Sequence, residues 1–186
     1  IADEDLRKSI AVYNENRKAI RELYAYRAQK PWQAPTSEVY LVLRAGCVLP
    51  PEEHTGLIRE YLSETEKQKR PQRDNARVIL TGSFCEQPPL GLIKSIEMAG
   101  CYVVDDDFQL CQSMLLDDVS LEKHPLHALS EAFLHRSAQT SSKYDEKKED
   151  KGRHLLRQVQ TRGAEGVIFA AASFCDPALL ERPMLL

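Results

Sequence analysis

An α/β fold with a parallel sheet, preceded by a helical section, is what this sequence predicts, and three observations carry the prediction. Two short apolar runs, Val78 to Thr81 and Val167 to Ala170, are bounded by polar or glycine residues, as strands buried in a parallel sheet are. Each is followed by Ser-Phe-Cys and then a proline-led helical pattern. A third run, Cys101 to Val104, comes after a helix closed by Gly100 and completes a strand, helix, strand unit of the size of a right-handed crossover.

From Asp3 to Arg27, the residues Leu6, Ile10, Tyr13, Ile20, Leu23 and Tyr24 recur at helical spacing, with acids in the first turn where the dipole favours them. Lys30-Pro31-Trp32 breaks that helix. Ser37 can cap a second one, through Val39, Tyr40, Leu43 and Cys47 to Leu49, although the β-branched content leaves a strand reading open. Pro51 suits the first turn of a third helix carrying Leu57, Ile58, Tyr61 and Leu62. Residues 1–63 therefore read as a helical section, 64–76 as a solvated linker almost without apolar residues, and 77–186 as an α/β domain.

Within that domain, a helix from Pro88 or Pro89 through Leu92, Ile93, Ile96 and Met98 links the first two strands. A short helix is expected over Phe108 to Val119, another over Pro125 to Ser137, and a long one from Tyr144 whose first half is charged and whose second half carries Leu155, Leu156 and Val159. Gly163 and Gly166 end it and admit the last strand. The sequence starts at Ile1 rather than Met and stops at Pro183-Met184-Leu185-Leu186 within a helical pattern, so a fragment truncated at both ends is expected, with further domain sequence before Ile1.

The 186 residues are 42% hydrophobic and 28% charged, enough for one full core. A net charge of -3 gives no long-range pull toward nucleic acid or an anionic membrane. No apolar run approaches the roughly 20 residues that span a bilayer, and no signal peptide is visible, so a cytoplasmic protein is expected. The five cysteines show no C-x-x-C spacing and are odd in number, which argues against a disulfide framework.

Dinucleotide, P-loop, nucleophile-elbow and His-Glu-x-x-His motifs are all absent. What remains is thiols and acids at strand ends. Loops leaving the carboxyl ends of neighbouring strands converge on one crevice, so Cys85 and Cys175 can sit side by side. Each precedes an acid, Glu86 and Asp176, and lies just before a proline that can open a helix, whose N-terminus favours the metal-binding thiolate. The plainer reading is two buried structural cysteines, since two are too few for a cluster site without further ligands. Asp105, Asp106 and Asp107 can bind a divalent ion or orient a site residue, but a cap in a solvated turn is the favoured reading. Cys47, Cys101 and Cys111 read as core, Trp32 as a packing anchor, His124 and His127 as cap and surface, and His54, His135 and His154 stand in polar contexts.

At these residues the sequence resembles a known family. The stretch from Val78 through Gly82-Ser83-Phe84-Cys85-Glu86-Gln87 to Asp105-Asp106-Asp107-Phe108, together with Ala164 to Leu180, looks like the benzoyl-CoA reductase and 2-hydroxyacyl-CoA dehydratase family. Within it the reductase branch is nearest, in the form of a gamma (C) iron-sulfur subunit, and the similarity covers nearly the whole chain. The resemblance implies Rossmann-like or flavodoxin-like domains around an iron-sulfur cluster, [4Fe-4S] or related. It implies Cys175 and Cys85 as ligands of the cluster iron, and other ligands outside this stretch. Glu86 and Asp176 are candidates for proton supply or for orienting the loops.

The implied reaction is ATP-dependent, ferredoxin-driven reduction of the ring of benzoyl-CoA to a cyclic dienoyl-CoA in anaerobic aromatic catabolism. Its implied partners are a second cluster subunit, ATP-hydrolysing activator subunits that alone bind ATP, and ferredoxin. The alternatives are a subunit of a 2-hydroxyacyl-CoA dehydratase, which is a lyase, and a cluster-free α/β partner subunit.

Overall fold

A computed structural model describes residues 2–82, 88–108, 117–135 and 151–185. Its opening helix, α1 (Asp3–Gln29), has 27 residues, about 40 Å of rod at 1.5 Å per residue. The helices α2 (Thr36–Ala45) and α3 (Pro51–Lys67) pack on its second half. Ala19, Ile20, Leu23, Val39, Leu43 and Ile58 form the shared core, and each fully buried large aliphatic contributes about 1.5–3 kcal/mol. The strand alternative for residues 37–49 is therefore excluded. Ser37 is not the cap: α2 starts at Thr36 behind Pro35 with no side-chain cap, and the Ser37 N–H donates to Glu97 Oε1 at 3.1 Å. Cys47, expected in the core, is exposed in the turn after α2, because the helix ends before the apolar spacing does. Residues 64–67, read as linker, are the last turn of α3, so the irregular connection is confined to residues 68–75.

Three parallel strands follow, β1 (Ala76–Thr81), β2 (Cys101–Asp106) and β3 (Gly166–Phe169), in the order β2-β1-β3. Between β1 and β2 runs α4 (Leu90–Met98); α5 (Pro125–His135) and α6 (Lys151–Arg162) precede β3, and α7 (Asp176–Leu185) follows it. The alternation of β1 fixes the layers. Val78 and Leu80 meet Ile93 and Ile96 of α4, Tyr40 of α2 and Phe108, whereas Ile79 points the other way with Val104 onto Leu155 of α6. Helices thus cover both faces, and the chain reverses direction across the sheet between β1 and β3. That reversal is where open α/β sheets form their ligand crevice.

The expected helix over Phe108 to Val119 falls mostly on residues 109–116, outside the described residues, and 117–120 are not helical. The long helix expected from Tyr144 is described only from Lys151. Pro125 opens α5 as its spacing predicts, and α5 packs on the first half of α1 through Ala128, Ala132 and Ile10. Among the described residues no helix is long and apolar enough to cross a membrane.

Candidate functional site

Two loops leave the carboxyl ends of β1 and β3 side by side. The strands pair from Val78↔Gly166 to Thr81↔Phe169, and the ladder continues one step further, where the Ala170 N–H donates to Thr81 O at 2.7 Å. Gly82 then turns the chain with φ +105, and a Cβ there would lie 3.2 Å from the Ala170 carbonyl carbon. Only glycine combines that dihedral with so close an approach of two backbones. Cys85 and Glu86 follow on the first loop and lie outside the described residues.

On the second loop the small residues Ala170, Ala171, Ala172 and Ser173 lead to Phe174, which is 96% exposed, and Cys175, which is 7% exposed. The Cys175 N–H donates to Ala172 O and its carbonyl accepts from Leu179 N, both at 3.0 Å, so Cys175 is the residue from which α7 springs. Asp176, the first residue of α7, is exposed. The loop thus presents a thiol at the start of a ten-residue helix, behind the run of small residues 170–173. One thiol alone is too few for a cluster site. Among the described residues no three His, Cys, Asp or Glu side chains converge as a metal site requires, and Cys101 opens β2 at the opposite end of the sheet.

The third strand end holds the acids, and here the favoured sequence reading is corrected. Asp105 and Asp106 are not in a solvated turn; they are 3% and 7% exposed and sit in a charge network beneath α1. Arg27 Nη1 donates to Asp106 Oδ2 at 2.7 Å, and Tyr24 OH and the Phe108 N–H donate to Asp106 Oδ1 at 2.9 and 3.0 Å. Arg162 Nε, from α6, donates to Asp105 Oδ2 at 2.8 Å, and Arg27 Nη2 stands 3.9 Å from Asp105 Oδ1. Burial pushes the Asp106 carboxyl above the usual carboxylate range, against Arg27 and the donors that favour the anion. Burial also works against the Arg27 charge, but the carboxylates outweigh it and raise its pKa. Tyr24, fully buried beside Asp106, is held well above the usual phenol value, first by burial. With two arginines already supplying the positive charge, these acids need no divalent ion.

Asp107 reaches the carboxyl end of β1. Its Oδ2 accepts from Thr81 Oγ1 at 2.8 Å and from the Gly82 N–H at 2.7 Å, and its own N–H donates to Leu80 O at 3.2 Å. The end of β1 is therefore gripped from both sides, by Ala170 across β3 and by Asp107 across β2. One signal for this network was present in the sequence: Arg27 continues the Ile20, Leu23, Tyr24 stripe of α1, and an arginine on a buried stripe demands a buried acid. At the amino end of the sheet, a groove of about 270 Å³ is lined by Trp32, Tyr102, Arg70 and Glu97. Its polar groups take up one another or nearby backbone, Arg70 with Glu38, Glu97 with the Ser37 N–H and Tyr102 OH with the Arg73 N–H.

The sequence matches the 2-hydroxyglutaryl-CoA dehydratase D-component family over residues 1–186, its entire length. The chain belongs to that family. Over 185 residues it is 58% identical to the C-designated polypeptide of benzoyl-CoA reductase from Thauera aromatica, covering 100% of this chain and 48% of that protein. It is 28% identical to the beta subunit of lactoyl-CoA dehydratase from Anaerotignum propionicum over 186 residues, and 26% identical to the (R)-phenyllactyl-CoA dehydratase beta subunit of Clostridium sporogenes over 185. Those alignments cover 100% of this chain and 49% and 48% of the two proteins, so the chain spans about half the length of the curated relatives it matches. The family membership and the α/β fold expected from the resemblance both hold.

Proposed function

We propose that this chain is part of an iron-sulfur subunit of a benzoyl-CoA reductase. The observation that carries the reading is the identity of 58% with the reductase polypeptide, against 26% and 28% with the two dehydratase subunits, over the same full length of chain. Under this reading Cys175 and Cys85 are two ligands of a [4Fe-4S] or related cluster, held by loops that leave adjacent parallel strands. Such a cluster supplies electrons at low potential, and iron-sulfur potentials extend down to about -700 mV according to charge, hydrogen bonds to sulfur and burial.

The residues of this chain set those conditions. Cys175 is presented at a helix start, and the small residues of 170–173 leave room for a bulky group beside it. Glu86 and Asp176, each beside a cysteine, are the candidates for moving a proton or orienting the loops; Asp176 is exposed at the mouth of α7. Reduced ferredoxin is the electron source in this reading, and ATP hydrolysis takes place in separate activator subunits. The complex also holds a second cluster subunit, and benzoyl-CoA is the substrate.

The test is anaerobic purification of the complete protein with its co-expressed partners, followed by iron analysis and assay with benzoyl-CoA and with 2-hydroxyacyl-CoA esters. Ring reduction dependent on reductant and ATP supports the reductase. Dehydration of a 2-hydroxyacyl-CoA without net consumption of reductant would assign it to the lyase branch, and an iron-free complex that tolerates Cys175→Ser would leave it a cluster-free partner.

A further inference from the structure

We propose that the groove at the amino end of the sheet docks an extended, proline-containing acidic segment of a partner protein, held between the rings of Trp32 and Tyr102 and by the Arg73 guanidinium. The inference is independent of the cluster reading, since this groove and the crevice lie at opposite ends of the strands. It draws on two features of the sequence that the function leaves over, Trp32 and the polar connection of residues 68–75.

The walls decide what shape fits. Trp32 stands in the break between α1 and α2 and Tyr102 near the start of β2; both are half-buried, with ring centroids 6.5 Å apart and planes tilted by 56°. Pro31, Pro35 and Pro71 extend the apolar lining. Rings set at an angle form a notch rather than a flat platform, which suits a pyrrolidine ring better than a stacked base. A polyproline-type segment enters such a notch with little conformational freedom left to lose. The groove holds about 270 Å³, and Pro71 and Arg73 on its rim are exposed. Sites that enclose a small molecule are larger, roughly 300–1,000 Å³.

The polar lining gives the sign of the charge. The run Lys67-Gln68-Lys69-Arg70-Pro71-Gln72-Arg73 carries cations and no acid. Lys67 is paired with Glu64 and Arg70 with Glu38, whereas the side chains of Lys69 and Arg73 form no ion pair or hydrogen bond among the described residues. Glu97, also in the lining, accepts from the Ser37 N–H in the first turn of α2, where the helix dipole balances its charge. The Trp32 indole N–H and the Asn75 side-chain amide are likewise without a bond among the described residues. An extended peptide brings backbone carbonyls that require such donors. Cations and donors in excess around an aromatic notch therefore select an acidic segment. An RNA strand would need several phosphate contacts along its length, and the net charge of -3 works against it.

The experiment follows the fluorescence anisotropy of labelled decapeptides on the complete protein, one alternating Glu and Pro and one alternating Lys and Pro, beside a labelled oligouridylate. The variants are Arg73→Glu, whose side chain forms no bond among the described residues, and Trp32→Leu, with the thermal midpoint read for each. We expect the Glu-Pro peptide to bind and the Lys-Pro peptide not to. Affinity for the Glu-Pro peptide should fall about fivefold or more in each variant, and fall again as salt is raised, while Arg73→Glu keeps the wild-type thermal midpoint. Equal affinity in the wild type and Arg73→Glu, or no binding of the Glu-Pro peptide by the wild type, would overturn the proposal. A loss with Arg73→Glu and none with Trp32→Leu would reduce the groove to an unspecific cationic patch and overturn it too. Tighter binding of the oligouridylate, lost in the same variants, would assign the groove to RNA instead.

Discussion

At the scale of single residues, the pair formed by Arg27 and Asp106 dominates. Both side chains are at 0% exposure, and the pair is 79 positions apart in sequence. Removing one member leaves the other charge buried without its partner, which costs about 3–5 kcal/mol, whereas replacing both with apolar residues is often close to neutral. Arg27→Met should therefore lower the urea midpoint sharply, and the double change Arg27→Met with Asp106→Leu should recover much of it. Equal losses in the single and double variants would show that the two charges are not coupled. This network was the largest feature missed in the sequence, because three successive aspartates after a strand read locally as a turn and nothing local names a partner so far away. Tyr24 and Arg27 on the apolar stripe of α1 were the legible half of the pair.

His54 gives a pH dependence whose sign follows from its surroundings. It is 1% exposed, its Nε2–H donates to Val42 O at 3.0 Å, and its Nδ1 meets Asn16 Nδ2 at 3.0 Å, so the folded protein holds the ring neutral. Burial lowers its pKa below the ordinary 6.5. As the pH falls below about 6.5, the unfolded chain takes up a proton that the folded one resists, so stability is lost on the acid side and intact above it. His54→Gln, which keeps a donor for Val42 O, should show a smaller drop in urea midpoint between pH 7.5 and pH 5.5 than the wild type. An identical drop in both would place the acid sensitivity elsewhere.

At the scale of elements, helices and strands were legible where periodicity alone decides them. The stripe of α1, the apolar runs of β1 and β3 and the proline-led starts of α3 and α5 are where the sequence places them. Boundaries set by competition were not. α3 continues through polar residues to Lys67 because Thr65 remains buried and its hydroxyl bonds back to Tyr61 O and Leu62 O. The glycines at element ends differ in a testable way. Gly163 has φ +57, and a Cβ would meet only Arg77 Nε at 3.9 Å, so Gly163→Ala should cost about 1–2 kcal/mol, the left-handed penalty. Gly82 adds the Ala170 backbone to a φ of +105, and Gly82→Ala should cost more than Gly163→Ala, about 2–3 kcal/mol, with the β1–β3 ladder the first to loosen. Amide exchange at Ala170, compared between the two variants, reads that loosening directly.

At the scale of the molecule, the helical section and the sheet are bound into one body by several polar ties. Arg27 reaches β2, Thr36 Oγ1 donates to Val103 O at 2.9 Å, and Arg77 at the start of β1 donates to Ala28 O at 2.8 Å as well as to the Arg162 and Gly163 carbonyls. The last arrangement lets one guanidinium satisfy the carbonyl ends of two helices. Unfolding should accordingly be a single transition, with the fluorescence of Trp32 in the helical section and the far-UV signal of the whole chain sharing one urea midpoint. Two separated midpoints would show that the section melts on its own. Of these ties only the Arg27 half left a signal in the sequence, and the strand order left none, because which strand β3 pairs with is set by a long connection with no local trace. The two cysteine loops were legible as local forms; that they leave neighbouring strands is known from the ladder between Thr81 and Phe169.

The central place of β1 also bears on how the protein is made. Its neighbour on one side, β2, is translated soon after it, but its neighbour on the other, β3, begins only at Gly166. At about 5–20 residues per second, a ribosome takes on the order of ten seconds to travel from Thr81 to that point. For that interval the nascent Val78-Ile79-Leu80 edge is open to wrong partners, and the two thiol-bearing loops have not yet been brought together. Under the cluster reading proposed above, iron delivered in that interval would meet half a crevice, so assembly of the proposed centre belongs after β3 has been made.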